Sequence, residues 1–288
     1  MRPFEFQAPP SVEETLRLLG EHGPDATLLA GGQSLMILLR QGLVTPEVLI
    51  GLKRVGELRA VEPRDGGLRL GSMVSYRTAA ADPRIAERAP LVAEAARSVG
   101  SVHIRNLGTL GGSLCHADPA GDVPTVLLAL DATVDTASPG GAAASHPVDG
   151  FFQGLFETSL DPGELLVAID LPAQPVGASF GYRRFSFRHG EYPMAVAACR
   201  LAWRGGRCAG ARVAVGGGGP YPARLKALED LLEDATAGEA LEAAATGGPF
   251  GSLQPIADVR GGAGWKRRVV TNLIRQTVAD AVAGAPGG

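Results

Sequence analysis

The chain has 288 residues, a formal net charge of −3, 45% hydrophobic and 20% charged residues, the balance of a folded protein with room for two or three subdomains and of neither a disordered nor a fibrous one. It contains no long basic run, which leaves nucleic-acid binding or a polybasic membrane surface without support. Its three scattered cysteines, Cys115, Cys199 and Cys208, exclude an iron–sulfur or structural zinc framework within the chain, and no apolar run approaches the ~18 residues of a membrane span, so a cytoplasmic protein is expected.

Taken in chain order, S-V-E-E-T-L-R-L-L-G reads as a helix with Ser11 as N-cap and Glu14 three residues on. A-T-L-L-A is a short buried strand that runs into G-G-Q-S, with Ser34 opening the apolar helix L-M-I-L-L-R, and P-E-V-L-I-G-L is another strand. V-E-P-R-D-G-G-L-R-L-G reads as a hairpin about Asp65, Gly66 and Gly67. Residues 90–99 and 123–130 read as helices, A-T-V-D and 164–171 as strands, and S-P-G-G-A-A-A-S as a surface turn. Beyond the linker A-Q-P-V-G, three antiparallel strands are expected in 181–188, 194–203 and 208–219. Helices follow in 223–234, 239–246 and 265–283. The fold class is α+β, with strands then helices in a separate last lobe.

Two glycine-rich segments carry the functional signal. In L-L-A-G-G-Q-S-L, Leu28 to Leu35, a strand turning through Gly31 and Gly32 into a helix leaves backbone N–H groups unpaired and lets a ligand approach them. That arrangement binds phosphate without lysine, although taken alone the segment reads first as a tight strand-to-helix turn, and it fits neither the Walker nor the Rossmann fingerprint. In N-L-G-T-L-G-G-S-L-C-H-A-D-P-A-G-D, Asn106 to Asp122, Thr109 and Ser113 offer hydroxyls and the glycines are read as a loop of bare amides. Asp118 and Asp122 offer carboxylates to ribose hydroxyls or a flavin N–H. Two such segments in one chain can grip a pyrophosphate from both sides.

L-L-A-G-G-Q-S-L, I-R-N-L-G-T-L-G-G-S-L-C-H-A-D-P-A-G-D and Gly190 to Met194, in that order, resemble the FAD-binding medium subunit of the molybdenum hydroxylases. This family includes aerobic carbon monoxide dehydrogenase and the flavin domain of xanthine dehydrogenase. The resemblance implies an α+β flavoprotein fold of the vanillyl-alcohol-oxidase-like type. Two FAD-binding subdomains, 1–55 and 56–173, would be followed by a lobe, 178–288, of three antiparallel strands and a helical bundle. It implies noncovalent FAD with its pyrophosphate on Ala30, Gly31, Gly32, Gln33 and Ser34 and on Thr109, Leu110, Gly111, Gly112 and Ser113, and with Leu29 and Leu35 also binding the cofactor. Asp118 and Asp122 are the polar contacts, Leu166 an aliphatic one, Arg184 stands where related domains often carry lysine, and Tyr192 matches an aromatic position able to cover the isoalloxazine. Arginine is not equivalent to lysine there, and Pro193 departs from the family pattern.

The partners implied are a large molybdopterin-binding subunit and a small [2Fe–2S] subunit, assembled as a dimer of heterotrimers, with this chain passing electrons through FAD to a terminal acceptor. The alternatives are a stand-alone flavin oxidoreductase with its own small substrate and a nonredox nucleotide-binding module. Cys115 and His116 read as structural, since adjacency in sequence does not make a nucleophilic pair. Arg105 either balances phosphate charge or packs the base of the second segment. Gly216 to Gly219 read as a turn.

Overall fold

The computed structural model describes residues 2–188, 190–246 and 250–286. Met1, His189, residues 247–249 and residues 287–288, which fall within the expected units 1–55 and 178–288, lie outside the described residues.

The first unit is a small parallel sheet. β1 (Glu5–Gln7), α1 (Val12–His22), β2 (Ala26–Leu29), α2 (Leu35–Gln41) and β3 (Val48–Gly51) succeed one another, and the strands lie in the order β1-β3-β2. The helix start follows the sequence: Ser11 Oγ accepts from the Glu14 amide at 3.2 Å, satisfying one orphan donor. Leu18, Leu19 and Ile50 form a core that borrows Met73 and Leu165 from the second unit.

That second unit holds β4 (Val61–Arg64), β5 (Gly67–Gly71), α3 (Tyr76–Ala81), α4 (Pro83–Arg88), α5 (Pro90–Ser98), α6 (Val102–Leu107), α7 (Leu110–His116), α8 (Asp122–Ala129), β6 (Thr133–Ala137), β7 (Ala143–Pro147) and β10 (Leu165–Leu171), with a small ribbon of β8 (Phe152–Gly154) and β9 (Glu157–Thr158). The antiparallel sheet runs β4-β5-β10-β6-β7. Asp65 and Gly66 turn the expected hairpin with φ of 48° and 80°, the left-handed pair that a two-residue loop requires.

The last unit has four strands rather than three: β11 (Ser179–Phe185), β12 (Ala195–Arg204), β13 (Arg207–Gly216) and a two-residue β14 (Ala223–Arg224), all antiparallel. The extra strand takes the start of the segment read as helical from 223, so α9 spans only Lys226–Leu232. α10 (Ala237–Ala245) and α11 (Ala263–Ala283) follow. β12 is apolar at every position of A-V-A-A-C because both its faces are covered. Val196 and Ala198 join the core of the second unit, while Ala195, Ala197 and Cys199 join α9–α11.

One ionic cluster ties the last unit to the second. Asp131, at φ 53° in the turn after α8, accepts from Arg200 Nη2 at 3.0 Å, from Arg212 Nε at 2.7 Å and from Arg224 Nη1 at 3.4 Å. Arg200 and Arg212 stand directly opposite each other across β12 and β13, a like-charge pairing that is unfavourable without an anion beside it.

Candidate functional site

The first glycine segment begins where β2 ends. Gly32 has φ 71°, which glycine adopts without steric cost, and the chain swings round it into α2. The backbone N–H groups of Gly31, Gly32, Gln33 and Ser34 have no acceptor among the described residues. Ser34 sits at the N-cap position, but its side chain makes no capping bond. Gln33 Nε2 donates back to Gly31 O at 3.1 Å and braces the turn.

The second segment differs from its sequence reading. It is not a loop of bare amides: Leu110–His116 is a helix, α7, capped by Thr109, whose Oγ1 accepts from Gly112 N at 3.1 Å. Leu110 N donates to Val74 O at 3.0 Å, Gly111 N to Ser72 O at 2.9 Å and Ser113 N to Thr109 O at 3.1 Å. These amides hold the fold. What the segment still offers a ligand is hydroxyl chemistry: Thr109 Oγ1 accepts from Gly112 and keeps its own O–H for donation. Gly111 is there for packing, since a Cβ on it would lie 2.6 Å from Ser72 Cβ and 2.7 Å from Ser72 O.

The two segments touch. A Cβ on Gly31 would land on the Leu107 carbonyl and 2.8 Å from Gly108 Cα, and one on Gly112 would come 3.4 Å from Ala30 Cβ. A cleft of about 580 Å³ opens beside the contact, lined by Leu29, Ala30, Gly31, Gly32, Gln33 and Thr109. Arg40, Lys53 and Arg59 line it as well, and Phe6, Ile37 and Leu107 supply apolar surface. The cations were missed in the sequence because no motif connects them to the glycines; three separate elements bring them there.

A polar group lies beyond the C-terminal end of α7. Asp122, 5% exposed, accepts from Tyr182 Oη at 2.7 Å and from Arg184 Nε at 3.0 Å. Burial pushes its carboxyl above the usual range, against the opposing pull of Arg184 and Tyr182. Burial and the adjacent carboxylate push the Tyr182 phenol well up, so it stays protonated and donates. Tyr182 escaped the sequence reading although it belongs to the quoted Y-R-R. Residues two apart on a strand share a face, and that rule puts Tyr182 with Arg184. Arg184 Nη2 donates to Glu191 O at 2.9 Å, while Asp118 Oδ1 accepts from Ala120 N at 2.9 Å in a tight turn. Tyr192, 51% exposed, lies within electrostatic reach of Asp118, Tyr76 and Asp122. Tyr76 is buried, and burial raises its phenol to about 12 against a hydrogen bond with Ser113.

The other sequence-derived residues fall outside the cleft. Leu110 and Gly111 are buried beneath it, and Leu166 is 3% exposed in the core of the second unit. Ser34 and Leu35 lie at its edge, half-buried. Arg105 packs the base of α6: its Nη1 donates to Val99 O at 3.0 Å and Gly100 O at 2.7 Å. His116 packs against Phe156 with ring centroids 5.1 Å apart and planes tilted by 36°, and burial lowers its pKa. Cys115 lies at the surface, desolvation of its sulfur pushes the thiol up to about 12, and a thiol so raised is a poor nucleophile at neutral pH. Gly217 donates to Pro119 O at 2.6 Å within the 216–219 turn.

The donor set fits a dinucleotide cofactor: four free amides in one turn, a hydroxyl facing them, nearby cations, and a separate buried polar group. Comparison with known proteins agrees. Residues 2–174 match the FAD binding domain in molybdopterin dehydrogenase and residues 180–281 the CO dehydrogenase flavoprotein C-terminal domain. The chain is 35% identical over 285 residues to the 6-hydroxypseudooxynicotine dehydrogenase complex subunit alpha of Paenarthrobacter nicotinovorans, covering 98% of this chain and 96% of that one. It is 36% identical over 279 residues to the nicotine 6-hydroxylase medium subunit of the same organism, covering 96% and 97%. Its fold superposes on a chain of carbon monoxide dehydrogenase from Hydrogenophaga pseudoflava with a TM-score of 0.92 at 32% identity, covering 99% of this chain and all of that one. No described helix is long and apolar enough to cross a membrane. The chain belongs to the family of FAD-binding subunits of molybdopterin dehydrogenases, with the family's flavoprotein C-terminal domain attached.

Proposed function

We propose that the chain is the FAD-carrying electron-transfer subunit of a molybdopterin-dependent hydroxylase or dehydrogenase, and that the two glycine segments hold the cofactor by unequal means. The observation that carries this is the set of N–H groups of Gly31, Gly32 and Gln33, unpaired among the described residues and lining the same cleft as Thr109, with that of Ser34 at its edge. Those amides would donate to the pyrophosphate and Thr109 would add its hydroxyl, with Arg40 and Lys53 lowering the cost of bringing two phosphate charges into the cleft. Gln33 keeps the turn in its binding shape.

Asp122 and Arg184, fixed on each other, would present a polar edge to the isoalloxazine, with Ser113 and Asp118 on the same side and Tyr192 beside it. Leu166, below the surface, would support the site from the core. FAD, once bound, joins one-electron carriers to a two-electron acceptor. Among the described residues no group of three His, Cys, Asp or Glu side chains could hold a metal, and the reading gives the molybdenum and [2Fe–2S] chemistry to a large and a small partner subunit. A dimer of such heterotrimers in the cytoplasm completes it.

Purification tests the reading. The chain is expected to carry or take up FAD with flavin absorbance near 450 nm, to be copurified with both partners, and to turn over no organic substrate when loaded with FAD alone. A protein that stays colourless after FAD is added overturns it, and turnover by the isolated chain selects the stand-alone oxidoreductase.

A further inference from the structure

Tyr192 is flanked by two carbonyls, each held by an arginine from a different part of the molecule. On one side Glu191 O accepts from Arg184 Nη2 at 2.9 Å, and Arg184 is itself fixed on Asp122 of the FAD-binding domain. On the other side Pro193 O accepts from Arg260 Nη1 at 3.4 Å. Arg260 is not free to wander. Its Nε and Nη2 donate to Asp258 Oδ2 at 3.1 and 3.0 Å, and its amide donates to Asp258 Oδ1 at 2.8 Å.

The second oxygen of Asp258 also takes Lys266 Nζ at 2.8 Å, and that lysine, 6% exposed, donates to Ile256 O at 2.8 Å. Against burial, which acts to raise it, Lys266 and Arg260 hold the Asp258 carboxyl at about 2, so the anchor stays charged at any working pH. Next to Lys266, Trp265 stacks on Phe187 with centroids 5.9 Å apart and planes 8° apart, which holds the approach to the Tyr192 segment against the same lobe.

From this we infer that Arg260 is a positioning residue for Tyr192: braced by Asp258 and Lys266, it fixes Pro193 and thereby sets where the Tyr192 ring stands relative to the cofactor. The inference rests on the proposed reading that Tyr192 faces the isoalloxazine. Arg260 touches neither the glycine segments nor Asp122, so it governs what reaches the cofactor from solvent and leaves cofactor binding alone.

The purified complex is compared as wild type, Arg260→Ala, Tyr192→Ala and the double variant. FAD content is measured first. The flavin is then reduced anaerobically with dithionite and mixed with either dioxygen or a bulky tetrazolium dye, and reoxidation is followed at 450 nm. Arg260→Ala should keep full FAD content and raise the dye rate about five-fold, the order expected from losing one long, part-buried hydrogen bond of ordinary net strength, with a smaller change for dioxygen. In the Tyr192→Ala background the same substitution should change nothing further, because residues acting through one another are not additive.

An equal effect in both backgrounds overturns the inference, as does an unchanged ratio of dye to dioxygen rates with FAD retained. Tyr192→Ala with wild-type rates shows instead that Tyr192 does not face the flavin, and a wild type without flavin sinks the FAD reading itself. Should the alanine variant fail to assemble, Arg260→Met, which keeps the length of the side chain without any donor, gives the same separation.

Discussion

The two glycine segments look alike in sequence and do opposite work. At Gly31–Ser34 the backbone donors are left open and, apart from the Gln33 brace, the side chains are incidental: Ser34 does not even cap the helix it begins. At Thr109–Ser113 the backbone donors are taken by Val74, Ser72 and Thr109, and what remains for a ligand is hydroxyl chemistry. A glycine in the first segment serves a turn and a close approach. A glycine in the second serves helix packing against Ser72. Composition cannot separate these roles; hydrogen-bond partners can.

The sharpest way to break this comparison is at the contact between the segments. Gly31→Val drives a side chain into the Leu107 carbonyl and Gly108, and overpacking of this kind should cost about 3 kcal/mol together with FAD binding. Urea unfolding and a flavin titration check both, and FAD affinity surviving at wild-type level would mean that the segments do not act jointly. Gly111→Ala should cost about 2 kcal/mol from its collision with Ser72, while the folded fraction binds FAD normally. A loss of FAD without loss of stability there would return the second segment to the role of an amide cradle.

Paired hydroxyl variants sharpen the contrast further. Thr109→Val should lose about 1 kcal/mol with the cap of α7, and Ser34→Ala, with no cap to lose, less than about 0.5 kcal/mol. Equal losses would put the two segments on the same footing. The smallest effect concerns pH, and among the described residues the buried carboxylate of the site, Asp122, belongs to the second segment. Because burial raises the Asp122 pKa in the folded chain, its contribution to stability is full below the unfolded carboxylate pKa and is lost as pH rises through the folded value. Unfolding free energies of wild type and Asp122→Asn should therefore shift in the variant's favour as pH rises through that window. A difference independent of pH refutes the assignment.

Much of the fold could be read along the chain because local rules and tertiary demands agree there. The Ser11 cap, the Asp65–Gly66 hairpin and the apolar stripe of the long α11 are examples. The reading failed where they compete. α7 contains two glycines, poor helix formers, yet Thr109 capping and contact with Ser72 override the propensity. β14 is two residues long and exists only because β13 offers an edge. Of the site, the motif residues were visible and their division of labour was not. Arg260 had no local signal, since its role depends on a carbonyl 67 residues away.

The cluster on Asp131 bears on how such a chain can be recombined. The junction after residue 174 invites exchange of C-terminal lobes between relatives, yet Arg200, Arg212 and Arg224 arrive with the lobe while their shared anion stays behind on the other module. A graft is compatible only when both sides carry the lock and its key. A chimera that omits the aspartate sets two guanidinium groups facing each other across a strand pair, so the heritable unit of exchange is the four-residue set, wherever the domain boundary is drawn.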